Sequence, residues 1–420
     1  MSNPYSIYGV SDEAASIASE AMNAVLPVFK KIDEIKEINQ LRVLEAFRKC
    51  KFSDVHMGST TGYGYDDMGR DKIEEIFAEI FGAEAAYVRM QMGSGTQAVS
   101  AMLYGVLRPG DEMLSVTGKP YDTLASTIGL GEENYDGSLR NYGISYTDVE
   151  LKPDGSPDID AILGKLNSKT KMVFIQKSRG YTSRRALNGA DIESICKNVK
   201  SYASEHNQDI VIAVDNCYGE FVETKEPCAL GADICAGSLM KNPGGGICTT
   251  GAYVCGKSDL VEKVAQRITA PGLGSHVGPT LGFNRMIAQG LFLAPHTVAE
   301  CIKGAVFASK CFEMVGLNTS PSFDSVRGDI VQTITFGEAD KLIKYCQKIQ
   351  ACSPVDSFAA PVPGPMPGYE DEIIMAAGAF VQGATTELSC DGPLKAPYIA
   401  YMQGGLVYEQ AKLAVMLTLS

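Results

Sequence analysis

Residues 209–216, DIVIAVDN, and residues 238–246, SLMKNPGGG, decide the fold. The first segment is a run of Val and Ile with little polar alternation that ends on Asp215. Such runs are strands buried on both faces, as in parallel sheets. A carboxylate closing a buried strand is costly unless it meets a cation or hydrogen-bond donors; it can equally cap the turn that follows. Twenty-six residues further on, Lys241 comes after a short apolar stretch and before a glycine-rich turn. Desolvation or a neighbouring cation would make its amine a nucleophile, although most lysines are simply exposed.

Outward from this pair the same pattern repeats. AAYVRM at 85–90, EMLSV at 112–116 and KMVFIQ at 171–176 read as further strands, and TQAVSAMLYGVL, DIDAILGKLN and DIESICKNVKSYASEH as the helices between them. Strands alternating with helices give an α/β layer architecture. After the first of these strands comes Gly93-Ser94-Gly95-Thr96, opening a helix. N–H groups at a helix N-terminus have no intrahelical acceptor and attract an anion such as phosphate; a tight turn with nothing bound has the same sequence. A nicotinamide site is disfavoured because GSGTQA lacks the third glycine of that fingerprint.

The flanks complete the plan. Residues 11–49 have apolar positions at helical spacing, with Pro27 expected to end one helix before another begins. Residues 51–71 read as a Gly-, Ser- and Tyr-rich loop. A long helix is expected from Thr280 to about 316 with a kink at Pro295. Beyond it, VRGDIVQTITF, EIIMAAGAFVQ and APYIAYMQG read as strands, and EADKLIKYCQKIQAC and the C-terminus as helices. The expected units are an N-terminal helical segment (1–49), a large α/β domain (50–316) and a smaller α+β domain (317–420).

The 420 residues are 45% hydrophobic and 21% charged with a net charge of -13, an ordinary globular composition. There is no basic block for nucleic acid, no basic-then-apolar leader at the start and no uninterrupted apolar span. The twelve cysteines form no CxxC pair and read as small core hydrophobes, with no metal site. A reduced, cytoplasmic chain is expected.

Taken in order, the glycine turn, the strand-end Asp and the Lys in a Ser-x-x-Lys context resemble the fold-type-I pyridoxal-phosphate enzymes. The resemblance narrows with GYGYDDMGRDKIE, KPYDTL, QKSRGYTSRR, VDNCYGEF, GSLMKNPGGG and SHVGPTLGFNRMIAQGLFLAP. These resemble the methionine γ-lyase-like or aluminium-resistance family, distant relatives of the cystathionine and methionine lyases. The likeness runs from about residue 40 to QGGLVYEQ at 403–410.

It implies a mainly parallel seven-stranded sheet flanked by helices, with pyridoxal 5'-phosphate as cofactor. Lys241 would be the Schiff-base and catalytic lysine and Asp215 the partner of the pyridinium nitrogen. Gly93, Ser94, Gly95 and Thr96 would hold the phosphate with support from Ser238. Tyr121 would stack on the ring and serve as proton donor. Tyr63, Tyr65 and Arg70 would reach the phosphate of a neighbouring subunit, implying a homodimer with shared sites, paired into a tetramer. Ser178 and Arg184 fall where a strand should end above the cofactor, making Ser178 a cofactor contact and Arg184 a substrate contact. In DGPLKAPY this chain has Lys395 where the family pattern has arginine, so Lys395 stands as the other substrate candidate, though a point charge does not replace a bidentate fork.

The implied reaction is β- or γ-elimination from methionine, cystathionine or cysteine to a 2-oxo acid, ammonia and a thiol. A γ-synthase, an aldolase, a desulfhydrase or a catalytically silent carrier of the cofactor would show the same residues.

Overall fold

The computed structural model describes residues 3–131, 136–366 and 371–420. The chain begins with α1 (Asp12–Lys49), capped by Ser11, whose hydroxyl accepts from the Ala14 N–H. Pro27 lies within this single helix and does not divide it. The reason is tertiary. Ala14, Ala18, Ala21, Val25, Phe29 and Ile32 form one buried stripe, and burying Val25, Phe29 and Ile32 contributes roughly 2 kcal/mol each. That outweighs the ~3 kcal/mol an interior proline costs. A second element, α2 (Met68–Phe81), begins inside the segment expected to be loop, because Asp67 caps it through the Arg70 N–H.

The central sheet contains β1 (Ala85–Arg89), β2 (Glu112–Ser115), β3 (Ser145–Asp148), β4 (Thr170–Gln176), β5 (Val211–Asp215), β6 (Ile234–Ser238) and β7 (Ala252–Gly256), in the order β1-β7-β6-β5-β4-β2-β3. Neighbouring pairs from β3 to β6 are parallel, whereas β7 runs antiparallel to both β1 and β6. The layers on the sheet include α3 (Gly95–Val106), α4 (Asp122–Ile128), α5 (Ile159–Lys165), α6 (Gly189–Glu205) and α7 (Ser258–Ile268). Every residue of β2, β5, β6 and β7 is buried, in keeping with a sheet covered on both faces.

The long helix α8 (Asn284–Met314) keeps Pro295 inside and lies along α1, joined to it by the Lys303–Asp33 ion pair at 2.8 Å. Among the described residues it is the one helix long and apolar enough to cross a membrane, and 72% of its apolar window is buried within the fold. A five-stranded antiparallel sheet follows: β8 (Asn318–Ser320), β9 (Gln332–Thr335), β10 (Ile373–Ala376), β11 (Ser389–Pro393) and β12 (Ile399–Gln403), ordered β10-β11-β12-β9-β8. Helix α9 (Ala339–Ala351) packs on this sheet, and α10 (Tyr408–Leu419) packs against α8 and α9. All twelve cysteines are free and nine are buried.

Candidate active site

The carboxyl ends of β4, β5 and β6 and the turn after β1 open on one cavity of about 400 Å³. Ligands of open α/β sheets collect at such strand ends. Its walls include Thr96, Tyr121, Gln176, Ser178, Arg179, Asp215, Cys217, Tyr218 and Lys241.

Asp215 ends β5 and is 4% exposed. Its Oδ1 accepts the Cys217 N–H at 3.0 Å, so it does cap the next turn, as one reading of the sequence had it. Burial raises its pKa, opposed first by Lys241 and then by the Cys217 hydrogen bonds. Lys241 follows β6 after a short turn, and its Nζ lies 3.8 Å from the Tyr218 ring centroid. Burial pulls the ammonium pKa down, but Cys217, Tyr218, Asp215 and Tyr121 outweigh it and the net direction is upward. Burial pushes the Cys217, Tyr218 and Tyr121 protons toward retention.

The glycine turn is built as a helix start. Ser94 accepts the Gln97 N–H at 3.1 Å, and Gln97 reaches back to the Gly93 N–H at 2.8 Å. The Gly93 N–H and the Ser94 hydroxyl are thus used in the cap, while the first-turn N–H groups of Gly95 and Thr96 have no intrahelical acceptor. A Cβ at Gly95 would stand 2.9 Å from Cys217 Sγ and 3.2 Å from Ser238 Cβ, so glycine lets this helix end reach the ends of β5 and β6. Ser238 itself is buried and accepts the Met240 N–H at 3.2 Å.

Tyr121 caps no helix through its side chain; its N–H donates to Gln176 Oε1 at 3.0 Å and its hydroxyl reaches Thr96 Oγ1 at 3.4 Å. This set fits pyridoxal phosphate: an amine, a buried carboxylate, an aromatic ring and a helix N-terminus around one cavity of suitable size.

Other expected residues lie elsewhere or are already engaged. Arg184 is not on the cavity wall; it donates to the carbonyls of Gln176 (2.9 Å), Ser178 and Arg185 (3.0 Å), fastening the chain after β4. Lys395 sits exposed in the β11–β12 turn, 3.3 Å from Asp371. Neither residue expected to meet the substrate lies on this cavity's wall: backbone carbonyls absorb the Arg184 guanidinium, and the turn carries the Lys395 cation into solvent. Ser178 lines the cavity, but its hydroxyl donates to Asp329 at 2.8 Å. Tyr63 and Tyr65 are exposed and stack with ring centroids 5.3 Å apart. Arg70 is buried and donates to Gly64 O at 2.6 Å and Gly278 O at 3.2 Å. None of these last three lines the Lys241 cavity within its own chain.

Gln176, Cys217, Tyr218 and Arg179 were not anticipated. Gln176 was legible as the last residue of a strand whose end faces the site. Cys217 and Tyr218 immediately follow Asp215. For Arg179 there was no signal, because the same short segment holds Arg179, Arg184 and Arg185.

Residues 14–420 match the methionine gamma-lyase family. The chain belongs to that family. It is 48% identical over 398 residues to the protein YnbB of Bacillus subtilis (strain 168), covering 95% of this chain and 94% of that one. It is also similar, at TM-score 0.94 and 46% identity, to a carbon-sulfur lyase involved in aluminum resistance from Clostridium novyi NT, covering 99% of this chain and 97% of that one. The pyridoxal-5'-phosphate dependent protein YhfS from Escherichia coli, 16% identical with TM-score 0.59, covers 92% of this chain and 96% of its own and shares the fold.

Proposed function

We propose that this chain is a pyridoxal-phosphate-dependent carbon–sulfur lyase that releases a thiol from a sulfur-containing amino acid, leaving a 2-oxo acid and ammonia. The observation that carries the reading is the convergence of Lys241, Asp215, Tyr121 and the start of α3 on one cavity. The name of the similar Clostridium novyi protein supports it.

When bound, pyridoxal phosphate supplies an electron-withdrawing ring that stabilises negative charge at the substrate Cα. Lys241 would hold the cofactor and then move the Cα proton on its Nζ. Asp215, whose carboxylate gains from a nearby cation, would keep the ring nitrogen protonated. The Gly95 and Thr96 N–H groups would take the phosphate, and Tyr121 would cover the ring face and offer a proton to the leaving thiol from a hydroxyl that burial keeps protonated. Tyr63 and Tyr65 are placed in this proposal on a second copy's site, within a homodimer or tetramer in the cytoplasm.

The test is a panel of methionine, cystathionine and cysteine offered to the cofactor-loaded protein, with 2-oxo acid, ammonia and thiol each quantified. Equal yields of all three from one substrate support elimination. Conversion without thiol release would point to an aldolase or synthase, and a cofactor-loaded protein inert toward the whole panel would overturn the lyase reading.

A further inference from the structure

At the boundary between the two sheets two guanidiniums, Arg179 and Arg327, are buried with no carboxylate among the described residues in ion-pair contact, although the buried Asp329 and Asp391 lie in the same region. Arg179 is 2% exposed and lines the Lys241 cavity. Its Nη1 donates to Ser320 O (2.7 Å), Ser320 Oγ (3.2 Å) and Thr333 Oγ1 (3.4 Å), and its Nη2 to Ser183 O (3.1 Å) and Ser320 Oγ (3.2 Å). Every one of those acceptors is neutral, and Nε has none. Arg327 is 8% exposed; its Nη2 donates to Gln332 Oε1 at 2.6 Å, while its Nε and Nη1 are buried without acceptors.

Asp329 is the carboxylate whose field reaches Arg179, Arg184 and Arg327 alike. Its oxygens, however, are taken by the Ser178 hydroxyl (2.8 Å) and by the N–H groups of Arg179 (3.3 Å) and Val331 (3.1 Å). Glu313 adds a weaker attraction at Arg327, and Arg179 and Arg327 repel each other. Among the described residues no carboxylate lies in ion-pair contact with either guanidinium. A guanidinium cannot shed its charge by deprotonating, and an uncompensated buried cation costs several kcal/mol. An anion entering the cavity removes that cost and makes charge-assisted hydrogen bonds.

We propose that Arg179, backed by Arg327, is the anion subsite of the Lys241 cavity and takes the α-carboxylate of the amino-acid substrate. The proposal rests on the reading of the cavity as an amino-acid site. It places the carboxylate at the end of β4 and the amine at Lys241 beyond β6. It also makes the second sheet part of recognition, because Ser320 ends β8 and Thr333 lies in β9. Besides Lys241, which is set aside for the amine, the cavity wall carries Lys119, which is exposed and so gains less from the same contact.

The test uses the full-length protein loaded with pyridoxal phosphate and follows the visible band during titration. The ligands are L-alanine, which has no leaving group, and ethylamine, its counterpart without the carboxylate. Arg179→Gln should raise the half-saturation for L-alanine about 10- to 100-fold and leave that for ethylamine unchanged, the size expected for hydrogen bonds to a charged group. Arg179→Lys, which keeps the charge should the Gln variant misfold, should fall between, and Arg327→Gln should give a smaller loss. An Arg179 variant with the wild-type band and an unchanged L-alanine to ethylamine ratio would overturn the assignment, as would transfer of the effect to Lys119→Ala. A wild-type protein without the band would instead overturn the amino-acid reading, and the subsite with it.

Discussion

Lys241 Nζ sits 3.8 Å from the centroid of the Tyr218 ring, and Tyr218 adopts φ 69° to put that ring there. A bulky residue in the left-handed region is strained by about 1–3 kcal/mol, and such strain persists where the surroundings demand it. Here the Asp215 turn and the Lys241 turn meet across the ring. Tyr218→Leu should remove a cation–π contact worth roughly 1–2 kcal/mol and lower the Lys241 pKa by about one unit. Tyr218→Phe should retain most of it. The pH dependence of Lys241 acylation in the cofactor-free protein, read by mass spectrometry, checks this; coincident profiles for Leu and wild type would refute it.

Gly95→Ala should weaken pyridoxal phosphate binding by about tenfold or more. The added methyl must push the start of α3 off Cys217 and Ser238, an overpacking that costs about 1–3 kcal/mol. Equilibrium dialysis with the cofactor measures it, and undiminished affinity would mean that α3 does not form the phosphate seat.

Below Lys241, Glu220 is fully buried, and burial pushes its pKa up to about 8 despite the hydrogen bond from Tyr253 at 2.8 Å. The unfolded chain releases that proton near its ordinary value of 4.5. Between pH 4.5 and 8 the folded protein therefore binds more protons, so stability declines as pH rises through that window. Glu220→Gln, which resembles the protonated acid, should flatten the slope and leave the variant more stable above pH 8, by about 5 kcal/mol at most. Urea unfolding at pH 5, 7 and 9 reads the slope; parallel curves for the two proteins would contradict it.

Pro27 is exposed inside α1. Pro27→Ala restores one helical hydrogen bond and should raise stability by about 1–3 kcal/mol. Thermal unfolding checks it, and a lowered Tm would show that proline is required there.

The long Val- and Ile-rich strands β4 and β5 and the helices α3 and α6 were legible because burial on both faces and helical spacing leave plain patterns. Three strands of the main sheet were not. β3 is the polar edge strand SYTD, β6 contains glycine and ends on Ser238, and β7 follows a glycine turn. Its antiparallel direction depends on long-range pairing that no local pattern encodes. α2 was hidden because its cap, Asp67, lies in a segment dominated by Gly and Tyr. At the site, Asp215 could be read because it ends a strand, Gly95 because it begins a helix, and Lys241 because it falls between an apolar stretch and a glycine-rich turn. That Arg179 rather than Arg184 lines the cavity could not be read, since Gly180 turns the chain at φ +57° between them.

The most direct test is borohydride reduction of the cofactor-loaded protein followed by peptide mapping, with Lys241→Ala alongside. A visible band lost on reduction, with pyridoxyl label on Lys241 alone and neither band nor turnover in Lys241→Ala, is the expected result. Label on another lysine, or full turnover by Lys241→Ala, would contradict the assignment of this cavity as the active site.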